Sequence, residues 1–428
     1  MTHVGHATVG GSVQRKSVRA NVAEVLSDRR ALISQLAIFA VGVTSGLHIM
    51  NFTATGLSVV CLLLAPGYLM MTHRGSELLP LVLAVIGWIS YLVSGVVNGI
   101  SLLWPNQIAP LAFALYLVGL TVVTGREIGE TATLLAGIAV GSIIFFSTKG
   151  IMLSNLGGFI YFWKYGIASA VTIIVLYGLI LLRTSILLQA MALTVLCLFT
   201  LACNYRSHAL VCLTAAATMF SYRFLGRRIA RGWQFGGIVL AALVFAYVMP
   251  KAARAGLFGS VLRTKTLEQD ATHLPLLLAG RTEPPMSFTA IMEHPWLGWG
   301  SALRLTPNFY AQAEHVAVRM GFSPNFPFAL HWGLPPDDPD AIHSILFGSW
   351  VEGGVVAALL PVWLLVACMM IVWNHARFGR WTALAVTVAL QGIWDLLFAP
   401  WTYNMVPEFV CLALLFGAVQ FRRDPASP

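Results

Sequence analysis

The sequence predicts an all-α polytopic membrane protein of about twelve transmembrane helices, with one large external loop between helices 9 and 10. Three observations carry this. The chain of 428 residues is 58% hydrophobic and only 10% charged, whereas soluble globular domains carry about 25% charge. Twelve stretches approach the roughly 20 apolar residues needed to cross a bilayer as a helix, at 31–50, 54–71, 78–97, 107–125, 131–147, 159–182, 185–203, 207–222, 234–250, 343–373, 381–399 and 402–420. Under that count, 16 of the 26 basic residues fall beside helix ends on one side of the membrane, and the short connections on the other side hold only Lys149, Lys164 and Arg206.

In chain order, residues 1–30 are polar and basic, with neither an apolar core nor a small-residue cleavage site, which reads as a cytoplasmic tail and not a signal peptide. Helices 1–9 occupy 31–250. The pair at 185–222 is the hardest to parse, because only Asn204, Tyr205 and Arg206 separate two apolar runs that also read as one long span. A 92-residue hydrophilic segment, Lys251–Ile342, follows, with eight acidic and seven Lys or Arg residues. Helices 10–12 fill 343–420, and 421–428 is a second tail. Short loops rich in Lys and Arg remain in the cytoplasm, so both termini are expected inside and Lys251–Ile342 outside. The net charge of +9 is mostly this topological signal, not a nucleic-acid footprint. All six cysteines fall in expected helices, so the external segment is expected to be ordered by packing against the helices and not by disulfides. There is no internal repeat, no phosphate-binding glycine loop and no metal-ligand spacing such as H-E-x-x-H.

A few polar residues stand out against this background. Arg206 lies in a tight outer turn between two apolar helices, against the charge rule and at a cost near hydrocarbon. It either snorkels to the headgroups or holds an anion, for which a guanidinium suits bidentate phosphate contact; at Lys164 snorkelling is favoured. In the loop, Gly280-Arg281 precedes a helical-looking stretch, Phe288–Glu293, which runs into His294-Pro295-Trp296-Leu297-Gly298-Trp299-Gly300. Pro295 disfavours helix at His294 and the glycines permit a sharp turn, so this segment is expected to fold back onto the membrane surface. Taken alone, Arg281 is a solvated loop charge and His294 a turn residue. His343 opens the helix that re-enters the bilayer, where a neutral imidazole can take a proton near neutral pH, although it also suits an interface marker. Glu352 lies nine residues on, about 13 Å deeper. It is an intramembrane carboxylate expected to hydrogen-bond at a close helix contact beside Gly353 and Gly354, out of reach of His343. Asp337-Asp338-Pro339-Asp340 could hold a hard cation, but a solvated turn is the favoured reading.

The succession Asn204-Tyr205-Arg206-Ser207, Gly280-Arg281, His294-Pro295-x-x-Gly298-x-Gly300 and His343-Ser344 through Glu352-x-Gly354 resembles the bacterial O-antigen ligase and polymerase superfamily over about residues 200–375. Each motif is short; their order around one large outer loop is the signal. One departure is Ser344, where the family commonly has Asn. The resemblance implies a fold of the GT-C type in the bacterial inner membrane, without metal or other cofactor. It implies transfer of a glycan from undecaprenyl diphosphate to a saccharide acceptor at the periplasmic face, inverting and by single displacement. His343 would be the general base, Arg206 and Arg281 the diphosphate clamp, and His294 and Glu352 supporting residues. A flippase and a chain-length regulator would be its partners if it polymerises, which is weakly favoured over ligation onto a terminal acceptor.

Three other readings compete. A metal-dependent oligosaccharyltransferase-type enzyme is disfavoured because the connections at 51–53, 98–106 and 148–158 contain no Asp or Glu. A secondary transporter would use carboxylates such as Glu352 and Asp395, but two related halves are not visible. A non-catalytic partner in envelope polysaccharide export would leave His343 dispensable.

Overall fold

A computed structural model of the chain describes residues 29–50, 54–72, 75–100, 105–148, 154–225, 231–257, 259–270, 282–328, 332, 342–402 and 404–420. A helix occupies each of the twelve apolar stretches. These are α1 (29–43), α2 (Gly56–Leu69), α3 (Gly75–Val97), α4 (Pro105–Thr124), α5 (Ile128–Thr148), α6 (Ser154–Phe162) continuing into α7 (Ala168–Leu181), α8 (Ile186–Ala202), α9 (Arg206–Leu225) and α10 (Arg231–Arg254). After the segment 251–342 come α14 (Ile345–Trp373), α15 (Thr382–Phe398) and α16 (Met405–Gln420). The protein is thus all-α in character, and among the described residues six helical spans are long and apolar enough to cross a membrane: Glu77–Val97, Asn106–Thr124, Ile128–Thr148, Gly158–Leu181, Ile345–Trp373 and His375–Phe398. Gly56–Leu69, Ile186–Ala202 and Met405–Gln420 are apolar but shorter, so by length and composition twelve full spans are not reached.

The departures from the expected elements have local causes. The stretch 31–50 is not one helix. α1 ends at Val43, a short turn follows at Thr44–Gly46, and His48–Met50 (β1) pairs antiparallel with Ala54–Thr55 (β2). Packing forces the stop. Gly42 and Gly46 of the first segment meet Gly137 and Gly141 of α5, and a Cβ on Gly46 would lie 2.6 Å from the Gly141 carbonyl oxygen. Two facing G-x-x-x-G runs are how membrane helices bring their backbones together. A π-helical turn, Trp163–Ile167, interrupts the sixth stretch. α10 runs through Pro250 to Arg254, four residues past its expected end. The 185–222 region is two helices, as expected: Asn204 takes a left-handed conformation (φ 55°), which Asn tolerates in turns, and α9 folds back along α8.

The segment 251–342 has its own small core, and no cysteine takes part, since all six are free, buried and outside it. It contains α11 (Ser260–Asp270), α12 (Pro284–Glu293) and α13 (Pro307–Arg319). Met286 and Ala290 of α12 pack with Phe309, Ala313 and Ala317 of α13 and with Phe322, Phe328 and Trp332, and the cluster closes on Ile342 and on Val351 of α14. Thr306 caps α13 by accepting from the Phe309 amide, and the Trp332 indole donates to the Thr282 carbonyl at 2.8 Å. Burial in this core pushes the Tyr310 phenol up to about 12, so it stays neutral at any physiological pH. The segment is therefore a lid with a fixed floor, and the floor is the first turns of α14.

Candidate functional site

His343 and Glu283 form the centre of the site, one just before α14 and the other at the start of α12. Glu283 is the N-cap residue of α12, whose first helical positions are Pro284 and Pro285; proline suits that position because it has no amide to leave unpaired. His343 lies two residues before α14. The helix is started by Ser344, whose Oγ accepts from the Phe347 amide at 3.1 Å and donates to the Leu396 carbonyl of α15 at 3.1 Å. His343 is therefore anchored just outside the helix that it was expected to open. Its Nδ1 lies 3.2 Å from Glu283 Oε1, with the imidazole 39% exposed and the carboxylate 15% exposed. The approach is close enough for an ion pair but not aligned as a hydrogen bond. Catalytic contacts are often loose without substrate and tighten when it binds.

A carboxylate at Nδ1 does two things chemically. It holds the proton on that nitrogen and leaves Nε2 as the acceptor, and it stabilises the imidazolium once Nε2 has taken a proton, the logic of a carboxylate–histidine couple. Glu283 was not singled out by sequence, where it is one of eight loop acids 60 positions from its partner. The available signal was its position two residues after Arg281.

Arg206 is the first residue of α9 and is partly buried. α9 packs on α15, and α15 packs on α14, so the helices bearing Arg206 and His343 share a neighbour. Arg281, and the cluster Asp337, Asp338 and Asp340, lie outside the described residues.

His294 is at the far end of α12 from Glu283, exposed, with its ring edge-on to Trp299 at 4.4 Å between centroids. Its carbonyl accepts from the Gly298 amide at 3.0 Å. It shapes a turn, as expected of the residue taken alone, and that turn packs against α14. It inserts into a break in α14. At Gly354 the backbone is left-handed and extended (φ 78°, ψ −176°), and three carbonyls at the break find partners outside the helix. Val351 and Glu352 accept from the amides of Trp299 (2.7 Å) and Gly300 (2.9 Å), and Glu352 and Gly353 accept from Ser94 and Ser90 of α3, both at 2.7 Å. The Val355 amide and the Trp350 indole donate to the Pro295 carbonyl at 3.1 and 2.9 Å. Glu352 itself is 3% exposed; it accepts from Asn106 Nδ2 at 2.9 Å and from the Ala302 amide at 3.3 Å. That is the expected hydrogen-bonding role at a close helix contact. The nineteen residues beyond the break, Val355–Trp373, are about 28 Å long at 1.5 Å per residue, close to the thickness of a bilayer core. Glu352 thus lies beside the break in α14 and ties lid, α3 and α4 together.

Against family models, curated proteins and solved structures, the chain has no match. The functional reading therefore rests on its own residues.

A cavity of about 240 Å³ lies at the opposite end of the bundle, lined by Trp363, Phe416, Leu117 and the ion pair of Glu77 and Arg126 (3.0 Å). α14 separates it from His343, so it has no part in this site. Among the described residues no group of three His, Cys, Asp or Glu is placed to hold a metal ion.

Proposed function

We propose that the chain is a membrane glycosyltransferase of the O-antigen ligase and polymerase type, moving a glycan from undecaprenyl diphosphate to a saccharide acceptor at the outer face of the bacterial inner membrane. The observation that carries this is the His343–Glu283 couple, a partly exposed base backed by a carboxylate where a membrane helix meets an ordered external lid. In the reaction, Nε2 of His343 takes the proton of the acceptor hydroxyl as its oxygen attacks the anomeric carbon. The bond from that carbon to the diphosphate breaks, and the lipid diphosphate leaves with the electron pair. Its charge is met by Arg206 and Arg281, guanidinium groups suited to paired hydrogen bonds with phosphate. Attack and departure on opposite faces invert the anomeric configuration, and no cofactor is called for. On the topology that the distribution of Lys and Arg predicts, with both termini cytoplasmic, this site faces outward, and a flippase and a chain-length regulator are the partners such a polymerase would have.

A broken helix beside a buried carboxylate is also an element of secondary transporters, and it gives transport its one supporting observation. In transporters the unwound carbonyls coordinate cargo. Here they accept from the amides of Trp299 and Gly300 and from the hydroxyls of Ser90 and Ser94, which favours a structural clamp.

Two experiments bear on this reading. Cysteine labelling tests the orientation: Gln312 on α13 and Ala376 beyond α14 are both exposed, and Gln312→Cys is expected to react with an impermeant maleimide in intact cells while Ala376→Cys does not. The reverse pattern would put the lid in the cytoplasm and remove the proposed substrate from reach. For the clamp, Arg206→Lys and Arg281→Lys are each expected to lose most transfer activity, because an ammonium is a point charge and not a planar fork. The double variant should be little worse than the poorer single, since both act on one leaving group. Full activity in both Lys variants would remove the clamp.

A further inference from the structure

A line of buried polar side chains crosses the bundle behind the candidate site. Thr172 of α7, His208 of α9, and Gln391 and Asp395 of α15 are exposed by 1%, 1%, 7% and 9%. His208 Nε2 is 2.9 Å from Thr172 Oγ1, and its Nδ1 is 2.9 Å from Gln391 Oε1. Gln391 Nε2 donates to Asp395 Oδ1 at 2.8 Å. Because Gln391 presents its oxygen to the imidazole and its amide N–H to the carboxylate, the direction of the line is set: His208 Nδ1–H donates to the amide oxygen. The ring of His208 is further held by stacking on Tyr205, at 5.6 Å between centroids.

Two members of this line are next in sequence to residues tied to the proposed site. His208 is two residues after Arg206 on α9. Asp395 precedes Leu396, whose carbonyl accepts from Ser344, and Ser344 follows His343. The two candidate groups are 137 positions apart in sequence, and α15 is hydrogen-bonded to the elements that carry both. We propose that His208, Gln391 and Asp395 are positioning residues, and that α15 acts as the ruler that fixes the outer end of α9, with Arg206, relative to the entry of α14, with His343. The inference rests on the reading of Arg206 as diphosphate clamp and His343 as base. In apolar surroundings such bonds are directional and costly to leave unmade, so they define a spacing where sliding apolar faces would not. They also account for the serine at 344, whose hydroxyl both caps α14 and reaches α15.

The test measures spacing and activity separately. Spin labels at Ser207→Cys and Gly348→Cys report the distance between the two helix ends by pulsed electron resonance; the six native cysteines are buried, and the parent chain serves as the labelling control. Gln391→Leu removes both of its bonds and is expected to shift or broaden the distance distribution and to lower kcat for glycan transfer about 10- to 100-fold, since a misplacement of about 1 Å costs on that order. Asp395→Asn keeps an acceptor oxygen for Gln391 and is expected to preserve spacing and activity, whereas Asp395→Leu behaves as Gln391→Leu. Should Gln391→Leu not accumulate in membranes, Ser344→Ala, which cuts the tie at its other end, is expected to broaden the distribution as well. An unchanged distribution in Gln391→Leu and Ser344→Ala would overturn the proposal, and so would Asp395→Asn proving as damaging as Asp395→Leu, which would mark a charge or proton-transfer role. If the unaltered chain transfers no glycan, the enzymatic reading fails, while the distance measurements still decide whether α15 sets the spacing.

Discussion

Replacing His343 by alanine is expected to lower glycan transfer in isolated membranes by about 10²- to 10⁴-fold, the range a general base contributes. Protein level and binding of the lipid-linked donor should change little, because the proton is moved in the transition state and not in the bound ground state. Glu283→Gln keeps the shape of the carboxylate and removes its charge, and should fall between the wild type and His343→Ala. The ordering of the three decides the role of the couple. Near-normal product from His343→Ala would leave no base in the mechanism and would favour a non-catalytic partner in polysaccharide export.

The largest structural effect is expected at Gly354. Its backbone occupies a region that is essentially reserved for glycine and costs other residues about 1–3 kcal/mol. A Cβ would also collide with the carbonyl oxygen of Trp296, so Gly354→Ala must either restore the helix or push out the inserted turn. Either way the Trp299 and Gly300 amides lose their acceptors and the Glu352 carboxylate loses its setting. The measurable result is a lower thermal denaturation midpoint in detergent and faster proteolysis within 282–328. Gly178→Ala is the control: a Cβ there meets nothing within 4 Å, and Ala in a helix interior is favoured over Gly by roughly 0.5–1 kcal/mol. Equal stability of the two variants would contradict the clamp described for the α14 break.

How much of this was legible in the sequence differs from feature to feature. The apolar runs made the helical membrane architecture legible, because the length of hydrocarbon to be crossed acts on composition alone. The isolation of Arg206, His343 and Glu352 was legible for the same reason: polar groups near hydrocarbon are conspicuous. The break at Gly354 was not, since the hydropathy of Ile345–Trp373 runs unbroken across it and the cause is a turn supplied from 54 to 60 positions upstream. The early end of α1 is hidden similarly, in its contact with Gly137 and Gly141. Glu283 and Gln391 escaped notice because neither is unusual in type; their meaning lies in what they touch. His294 shows the converse: the resemblance suggested a supporting role in the site, and the structure places it at the far end of α12, shaping the turn that enters the α14 break.

The most direct test is reconstitution of the purified chain in liposomes with undecaprenyl-diphosphate glycan and a saccharide acceptor, in EDTA, followed by determination of the anomeric configuration of the new bond. The account predicts acceptor extension that survives chelation, yields a linkage inverted relative to the donor, and disappears in His343→Ala. Retention of configuration would require a covalent enzyme intermediate in place of direct attack. Activity lost on chelation would bring Asp337, Asp338 and Asp340 into the mechanism as cation ligands, and no transfer under any condition would contradict the proposed reaction itself.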